Sequence, residues 1–225
     1  STSYVQSPAL RKPGVQPSRF LAPIAAIAES PLLLVTFSNF PAKTVQDLIA
    51  IAKAKPDQIG IASAGAGNYM AGVLLQRMAG ISLLPIQYKG TGPALVDVAG
   101  GQVPLLISSV GPVMPYLHSG RLRAMATGGL VRSSLAPSVP TVSESGVPGY
   151  EARVWWGIMA PYATPKAVVD KIDRDINSVM KAEDINQRFK TLGIESFRLS
   201  AEPFSKLVIS DYDKWEKISR DVDRR

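Results

Sequence analysis

LPIQYKGTGPALVDVAGG, residues 84–101, is the stretch that decides the fold. It consists of a short apolar run, a turn with two glycines, and a second apolar run that a glycine pair stops. We predict a strand over 84–88 and a helix over 93–99, because short runs rich in Leu, Ile and Tyr form strands and glycine ends helices. A strand that leads through a glycine turn into a helix is typical of βαβ units.

The same alternation continues on both sides of this stretch. Thr44 followed by Asp47 resembles a capping box, and Thr164-Pro165 resembles an N-cap with proline at the first helical position. Up to Pro31 the chain is rich in proline and serine, so we predict a loop there. The other predicted elements are strands over 32–36, 59–62, 104–108, 122–127, 154–160 and 195–199, and helices over 44–55, 70–79, 113–119, 166–181, 184–192 and 201–224. This order predicts an α/β protein with a mainly parallel sheet.

The composition excludes several classes of function. Cysteine is absent, which rules out disulfides, thiolate zinc sites and thiol nucleophiles. The sole histidine, His118, is predicted at the surface near a helix end, and no Gly-x-Ser-x-Gly elbow surrounds Ser63. Paired carboxylates are absent from the glycine turns. We therefore predict no catalytic residues, no metal ion and no cofactor, and we do not expect an enzyme.

Charge and hydropathy narrow the range of partners. No stretch approaches the ~20 apolar residues of a membrane span, so direct membrane insertion is not predicted. The formal net charge is +7, but the sequence has neither a Lys/Arg run nor a basic-aromatic module, so nucleic acid is not an expected partner. Most of the excess positive charge lies in residues 1–162, and no acidic side chain occurs between Asp57 and Asp97. A ligand site in that segment would favour anions.

The first candidate for a ligand site is the turn SAGAGN at residues 63–68, between a predicted strand and a predicted helix. Small residues let backbone N–H groups approach a ligand, and the helix start adds unpaired donors and a partial positive charge. The spacing fits neither the dinucleotide fingerprint nor the Walker A loop. A tight turn that uses glycine for backbone reasons alone fits the sequence equally well. The candidate contacts are Ser63, Ala64, Gly65, Gly67 and Asn68.

The second candidate is the turn YKGTGP at residues 88–93, which offers the Thr91 hydroxyl and the N–H groups around Gly90. Ligands of open α/β sheets bind outside the carboxyl ends of the strands, so we expect the two turns to converge on one cleft. Lys89 is a candidate partner for an anion, although an exposed loop lysine is more often only solvated. Ser108 ends the next predicted strand and offers a hydroxyl, although a helix cap explains it equally well.

Several segments together resemble the substrate-binding receptors of tripartite tricarboxylate transporters, also called the Bug family. The most specific are YKGTGPA at residues 88–94 and PTVSESGVPGY at residues 140–150. The others are STSYVQSPAL (1–10), FPAKTVQDLIAIAKAK (40–55), SAGAG (63–67), GRLRAMAT (120–127) and WGIMAPYATPKAVV (156–169). Their order and spacing agree over almost the whole chain.

The resemblance implies a periplasmic-binding-protein type II-like fold, with two lobes of mainly parallel sheet joined by hinge strands at 32–36 and 154–160. Residues 1–38 and 151–225 would form the first lobe, and residues 39–150 the second. Relatives hold a carboxylate through backbone amides, hydroxyls and bridging waters. This implies contacts in both glycine turns and, where the family has another ligand loop, at Ser1 and Thr2.

In function, the resemblance implies a periplasmic receptor that binds a small organic carboxylate and delivers it to membrane permease subunits. A ligand sensor of the same fold, acting on a signalling partner, is the alternative. Some relatives carry an acid where this chain has Ser108, so we do not expect an amino-acid ligand, whose ammonium group needs a carboxylate partner.

The resemblance also implies that the first lobe is incomplete. The family's N-terminal portion, with its first strand and ligand loop, has no counterpart here, and no signal peptide is visible at Ser1. A complete receptor is expected to be a monomer. We expect this chain alone to associate, because unpaired strand edges and uncovered apolar faces favour self-association. A monodisperse monomer that melts cooperatively would contradict this expectation.

Overall fold

The computed structural model describes residues 4–6 and 20–222, with side chains through residue 220. Two compact units are present: the described parts of Ser1–Ser30 and Val154–Arg225 form one, and Pro31–Arg153 form the other. The strands are β1 (Leu21–Phe37), β2 (Gly60–Ser63), β3 (Leu84–Gln87), β4 (Leu105–Ser109), β5 (Leu122–Thr127), β6 (Arg153–Pro161) and β7 (Glu195–Leu199). The helices are α1 (Val45–Ala54), α2 (Ala66–Ala79), α3 (Thr91–Ala99), α4 (Val110–His118), α5 (Lys166–Val179), α6 (Glu183–Thr191) and α7 (Ala201–Val222).

The unit Pro31–Arg153 is built on a sheet with the strand order β3-β2-β4-β1-β5. β2 pairs in parallel with β3 and with β4, whereas the second half of β1 runs antiparallel to β4 and β5. Among these five strands, β1 alone therefore points the opposite way. The arrangement confirms the predicted α/β class, with four of the five strands running in one direction and a mixed sheet of two parallel and two antiparallel pairs.

Helices cover both faces of this sheet. One buried cluster joins α3 and α4 to the face that carries Ala62 and Leu106, through Ala94, Leu95, Val98, Val110 and Val113. α2 lies on the other face, where Gly72 packs so closely that an added Cβ would come within 3.3 Å of Ile61 Cδ1. Ile61 precedes Ala62 in β2 and so points to the opposite side of the sheet. The chain thus leaves β2 toward one face, and leaves β3 and β4 toward the other.

Three chain segments meet at Gly128, just after β5. The N–H of Gly128 donates to the carbonyl oxygen of Leu32 at 2.6 Å, and the N–H of Ala152 donates to the carbonyl oxygen of Gly128 at 2.7 Å. The N–H of Leu32 donates to the carbonyl oxygen of Ala152 at 3.3 Å and closes a ring of three hydrogen bonds. A Cβ on Gly128 would lie 2.3 Å from the Ala152 oxygen, so only glycine fits. The ring stands beside Pro31 and Arg153, the two ends of this unit.

The second unit uses the first half of β1, which pairs antiparallel with β7 and also pairs with β6. Trp155 of β6 is fully buried, stacks edge-on against Phe204 at 5.2 Å between ring centroids, and donates its indole N–H to Asp211 at 2.6 Å. A Cβ on Gly157 would lie 2.2 Å from the Phe204 ring. Close packing of α7 on β6 therefore requires glycine at residue 157.

Two groups of sequence expectations were wrong. The loop predicted up to Pro31 is a strand from Leu21 onward. Pro31 does not end it, because this residue lies between the part of β1 that pairs with β7 and the part that pairs with β4. Helices α2, α3 and α4 begin at residues 66, 91 and 110, earlier than predicted. Low helix propensity of glycine hid these starts, since α2 and α3 begin inside their glycine turns.

The division into lobes at residues 38/39 and 150/151 stays a prediction. It places the whole of β1 in the first lobe, whereas β1 contributes to both compact units of the structure.

A loop after β1 is held by Arg123 of β5. The guanidinium donates to the carbonyl oxygens of Ser38 at 2.8 Å, Phe40 at 3.0 Å and Ala42 at 2.8 Å. This loop leads into α1, which begins with the predicted capping box: the Thr44 hydroxyl accepts from the N–H of Asp47 at 3.1 Å, and the Asp47 carboxylate accepts from the N–H of Thr44 at 3.0 Å. Arg123 thus fixes the connection between the sheet and its first helix.

We expect Arg123→Ala to lower the free energy of unfolding by about 1–3 kcal/mol, because three backbone carbonyls lose a charged donor. Arg121→Ala removes an exposed guanidinium that lies 5.4 Å from the Tyr116 ring centroid, and serves as the control, with an expected change below about 1 kcal/mol. Urea denaturation at pH 7 measures both values. Equal losses in the two variants would show that the three contacts do not stabilise the loop.

Candidate functional site

The two glycine turns lie side by side. β2 and β3 pair in parallel with Ser63 opposite Gln87, and the N–H of Tyr88 donates to the carbonyl oxygen of Ser63 at 2.9 Å. Both strands therefore end at the same edge of the sheet, and both turns begin there. β4 flanks β2 on its other side and runs in the same direction, so Ser108 reaches this edge as well.

Each turn has the same backbone geometry at its glycine. Gly65 is the N-cap of α2 with φ 128° and ψ 172°, and Gly90 is the N-cap of α3 with φ 150° and ψ 172°. Such positive φ values with extended ψ are open almost only to glycine. An added Cβ would find no atom within 4 Å at either residue, so conformation and not space requires glycine.

These glycine caps leave the helix starts open. Neither cap makes a side-chain hydrogen bond, and neither helix has an acidic residue in its first turn. The first N–H groups of a helix lack intrahelical acceptors and carry the positive end of the helix dipole. α4 repeats the arrangement: Ser109 is at its N-cap without a side-chain cap bond, and its first turn has no acid. The helix-cap explanation offered for Ser108 does not apply, because Ser109 and not Ser108 is at the N-cap.

The opposite edge of the sheet shows the contrast. β1 is antiparallel to its neighbours, so the helix that follows it, α1, begins at that opposite edge. α1 has its own capping box and an acid in its first turn. Hydrogen bonds from the Thr44 side chain and from the N–H groups of Lys43 and Thr44 lower the pKa of Asp47. The helix start at one edge is thus capped, whereas the starts of α2 and α3 at the other edge have no side-chain cap.

The topology also creates a crevice at the open edge. The chain leaves β2 toward one face of the sheet and leaves the adjacent β3 and β4 toward the other. In open α/β sheets, this divergence at the carboxyl ends of neighbouring strands marks the usual place for a ligand. No acidic side chain occurs from residue 58 to residue 96, which covers both glycine turns. The crevice can therefore accept an anion through backbone donors.

The structure brings most predicted site residues to this edge. Ser63 and Ser108 are buried, with 2% and 1% of their surfaces exposed. Gly65 and Lys89 are exposed. Those of intermediate exposure are Ala64, Gly67, Asn68, Gly90 and Thr91. Ser1 and Thr2 lie outside the described residues.

One hydrogen-bonded pair of side chains near the turns was not predicted from the sequence. The Tyr88 hydroxyl donates to the Asp97 carboxylate at 2.7 Å. Burial raises the pKa of Tyr88 to about 12, and the hydrogen bond and charge of Asp97 add to the effect. The available signal was a tyrosine at the end of a strand followed by the first acid after a long acid-free segment.

Other chemistries find little support at this edge. His118 is exposed in the last turn of α4, as predicted. Within residues 4–6 and 20–222, no three His, Cys, Asp or Glu side chains gather into a group that could hold a metal ion. In that same part of the chain, no helix is both long and apolar enough to cross a membrane.

Comparison with known families decides the assignment. The profile described as the tripartite tricarboxylate transporter family receptor, TctC, matches residues 1–223. The chain belongs to this family. The family is one of receptors and not of enzymes, in agreement with the prediction that the protein is not an enzyme.

Two related proteins extend the comparison. The chain is 32% identical over 206 residues to the UPF0065 protein in the tcbD-tcbE intergenic region of a Pseudomonas species, covering 90% of this chain and 61% of that protein. It is 30% identical over 204 residues to BugT of Bordetella pertussis, covering 90% of this chain and 63% of that protein. The chain thus spans about three fifths of the length of these TctC relatives.

Solved structures show the same fold. An R. palustris protein with adipate matches with a TM-score of 0.84 and 27% identity, over 97% of this chain and 74% of that one. The periplasmic binding protein BugD matches with a TM-score of 0.82 and 30% identity, over 98% and 75%. MatC from Rhodopseudomonas palustris with bound malate matches with a TM-score of 0.78 and 26% identity, over 97% and 75%. The predicted periplasmic-binding-protein fold is confirmed.

We expect Gly90→Ala to destabilise this TctC-family protein by about 1–3 kcal/mol, because alanine cannot adopt the observed φ without strain. Gly92→Ala is the control: residue 92 has open space and a negative φ inside α3, where alanine is favoured, so stability should hold or rise by up to about 1 kcal/mol. Thermal and urea unfolding measure both. If Gly90→Ala is as stable as Gly92→Ala, the turn does not need its glycine geometry.

Proposed function

We propose that the protein is an extracytoplasmic solute-binding receptor for a small organic carboxylate, and that it delivers this ligand to the membrane permease subunits of a tripartite tricarboxylate-type transporter. The observation that carries the proposal is the pair of helix starts without a side-chain cap, those of α2 and α3, at one edge of one sheet. Membership of the TctC family supports the transport role and a periplasmic location.

The chemistry of the edge supports a carboxylate as the ligand. A carboxylate accepts several hydrogen bonds, and backbone N–H groups at helix starts supply donors together with a favourable partial charge. Two solved structures above 25% identity contain adipate and malate, both small carboxylates. The proposed contacts are the turn residues Ser63, Ala64, Gly65, Gly67, Asn68, Lys89, Gly90 and Thr91, with Ser108 at the end of β4 and with Ser1 and Thr2.

The proposed receptor has two lobes. Residues 39–150 form the lobe that contains both glycine turns, and residues 1–38 with 151–225 belong to the other. A receptor of this kind closes when the ligand makes contacts that only the closed form offers. Lys89 is exposed beside Gly90 and adds a positive charge to the approach of an anion.

Titration calorimetry with succinate, adipate, malate and citrate tests the proposal on the protein. We expect saturable heat with at least one of these acids at pH 7. Absence of heat for every acid, from a protein that melts cooperatively, would rule against a carboxylate receptor.

A charge variant tests where the acid binds. Gly67→Asp places a carboxylate in the first turn of α2, where it occupies the open donors and repels an anion, so we expect affinity to fall more than about tenfold. Gln46→Asp makes the same change of net charge in the first turn of α1, at the opposite edge, and should leave affinity unchanged. Equal affinity in both variants would place the ligand elsewhere.

A further inference from the structure

Tyr88, at the start of the turn after β3, makes two hydrogen bonds. Its backbone N–H donates to the carbonyl oxygen of Ser63, which starts the neighbouring turn, at 2.9 Å. Its hydroxyl donates to Asp97 in α3 at 2.7 Å. The side chain also packs against the buried cluster under α3 and α4. One residue therefore connects both glycine turns and the body of the helix that follows.

α3 is oriented by apolar packing and by one side-chain hydrogen bond. It has nine residues, begins at a glycine without a side-chain cap, and carries a second glycine, Gly92, in its first turn. Short helices are marginal alone, and glycine adds backbone freedom, so tertiary contacts must orient this one. The apolar side chains of α3 are buried against the sheet, and the hydrophobic effect that stabilises this contact is not directional. The Tyr88–Asp97 hydrogen bond supplies a fixed geometry.

The same bond involves the negatively charged side chain that follows the turn in the sequence. Asp97 is the first acid after Asp57 in the sequence and lies near the carboxyl end of α3, where the helix dipole disfavours a negative charge. Burial, followed by the hydrogen bond and charge of Asp97, raises the pKa of Tyr88 to about 12. Tyr88 therefore keeps its proton across the neutral range and remains a donor to this carboxylate.

We propose that Tyr88 is a positioning residue: by holding Asp97, it fixes the direction in which α3 presents the N–H groups of Thr91 and Gly92 to the carboxylate. The inference rests on the proposed function for its ligand. It assigns to Tyr88 no contact with that ligand.

Adipate binding to Tyr88→Phe, measured by calorimetry, is the first test. Loss of the hydrogen bond from the Tyr88 hydroxyl to the Asp97 carboxylate, which orients the donors, should weaken binding about fivefold. Tyr150→Phe is the matched control, because the buried Tyr150 hydroxyl donates to the carbonyl oxygen of Ala71 in the middle of α2, away from the helix start. That variant should lose thermal stability with unchanged adipate affinity. Asp97→Asn retains an acceptor oxygen and should keep affinity within about twofold of the parent.

Amide hydrogen exchange without ligand separates failure of this inference from failure of the proposed function. Tyr88→Phe should speed exchange at residues 90–92 about tenfold relative to Tyr150→Phe. If the parent binds no carboxylate but this selective exchange occurs, the positioning of α3 stands and the receptor function fails. If Tyr88→Phe leaves exchange at residues 90–92 unchanged, the role of Tyr88 is overturned. The same conclusion follows if the parent binds adipate and Tyr88→Phe binds it with the same affinity.

Discussion

The parallel pairing of β2 with β3 and β4 is the constraint on which the candidate site depends. Parallel strands end at one edge, so the hydrogen bond from the N–H of Tyr88 to Ser63 forces the two glycine turns together. The helices then diverge to opposite faces because β3 and β4 lie on opposite sides of β2. A crevice lined by backbone donors follows from these two facts without any charged side chain.

Backbone donors suit the proposed function, in which the ligand must also be released. A helix dipole contributes about 0.3–1 kcal/mol to a nearby charge at an exposed site, far less than a buried unpaired arginine would cost when empty. Glycine caps keep these donors free, at the expense of backbone freedom in the unfolded chain. The capping box of α1, at the opposite edge, shows what the sequence supplies where no ligand is needed.

Two connections in the unit Pro31–Arg153 are fixed by hydrogen bonds to backbone groups. At Gly128, three segments exchange hydrogen bonds in a ring whose short distances leave no room for a side chain. At Arg123, one guanidinium organises the loop that leads into α1. Both features satisfy backbone carbonyl groups through hydrogen bonds, and both tolerate few substitutions because the backbone atoms involved cannot move independently.

Local patterns in the sequence determined the order of strands and helices, the capping box at Thr44, the exposure of His118 and the two glycine turns as candidate sites. These features depend on residues close together in the chain, and period, caps and glycine report them directly. The sequence did not predict the starts of α2 and α3 or the strand through Pro31. The local secondary-structure propensity of these residues opposes the structure that tertiary pairing stabilises. Only the tertiary structure decided that β2 lies between β3 and β4, that Tyr88 reaches Asp97, and that Gly128 joins Leu32 and Ala152. Pairing between distant segments depends on the shape and burial of the whole sheet, and no local pattern encodes it.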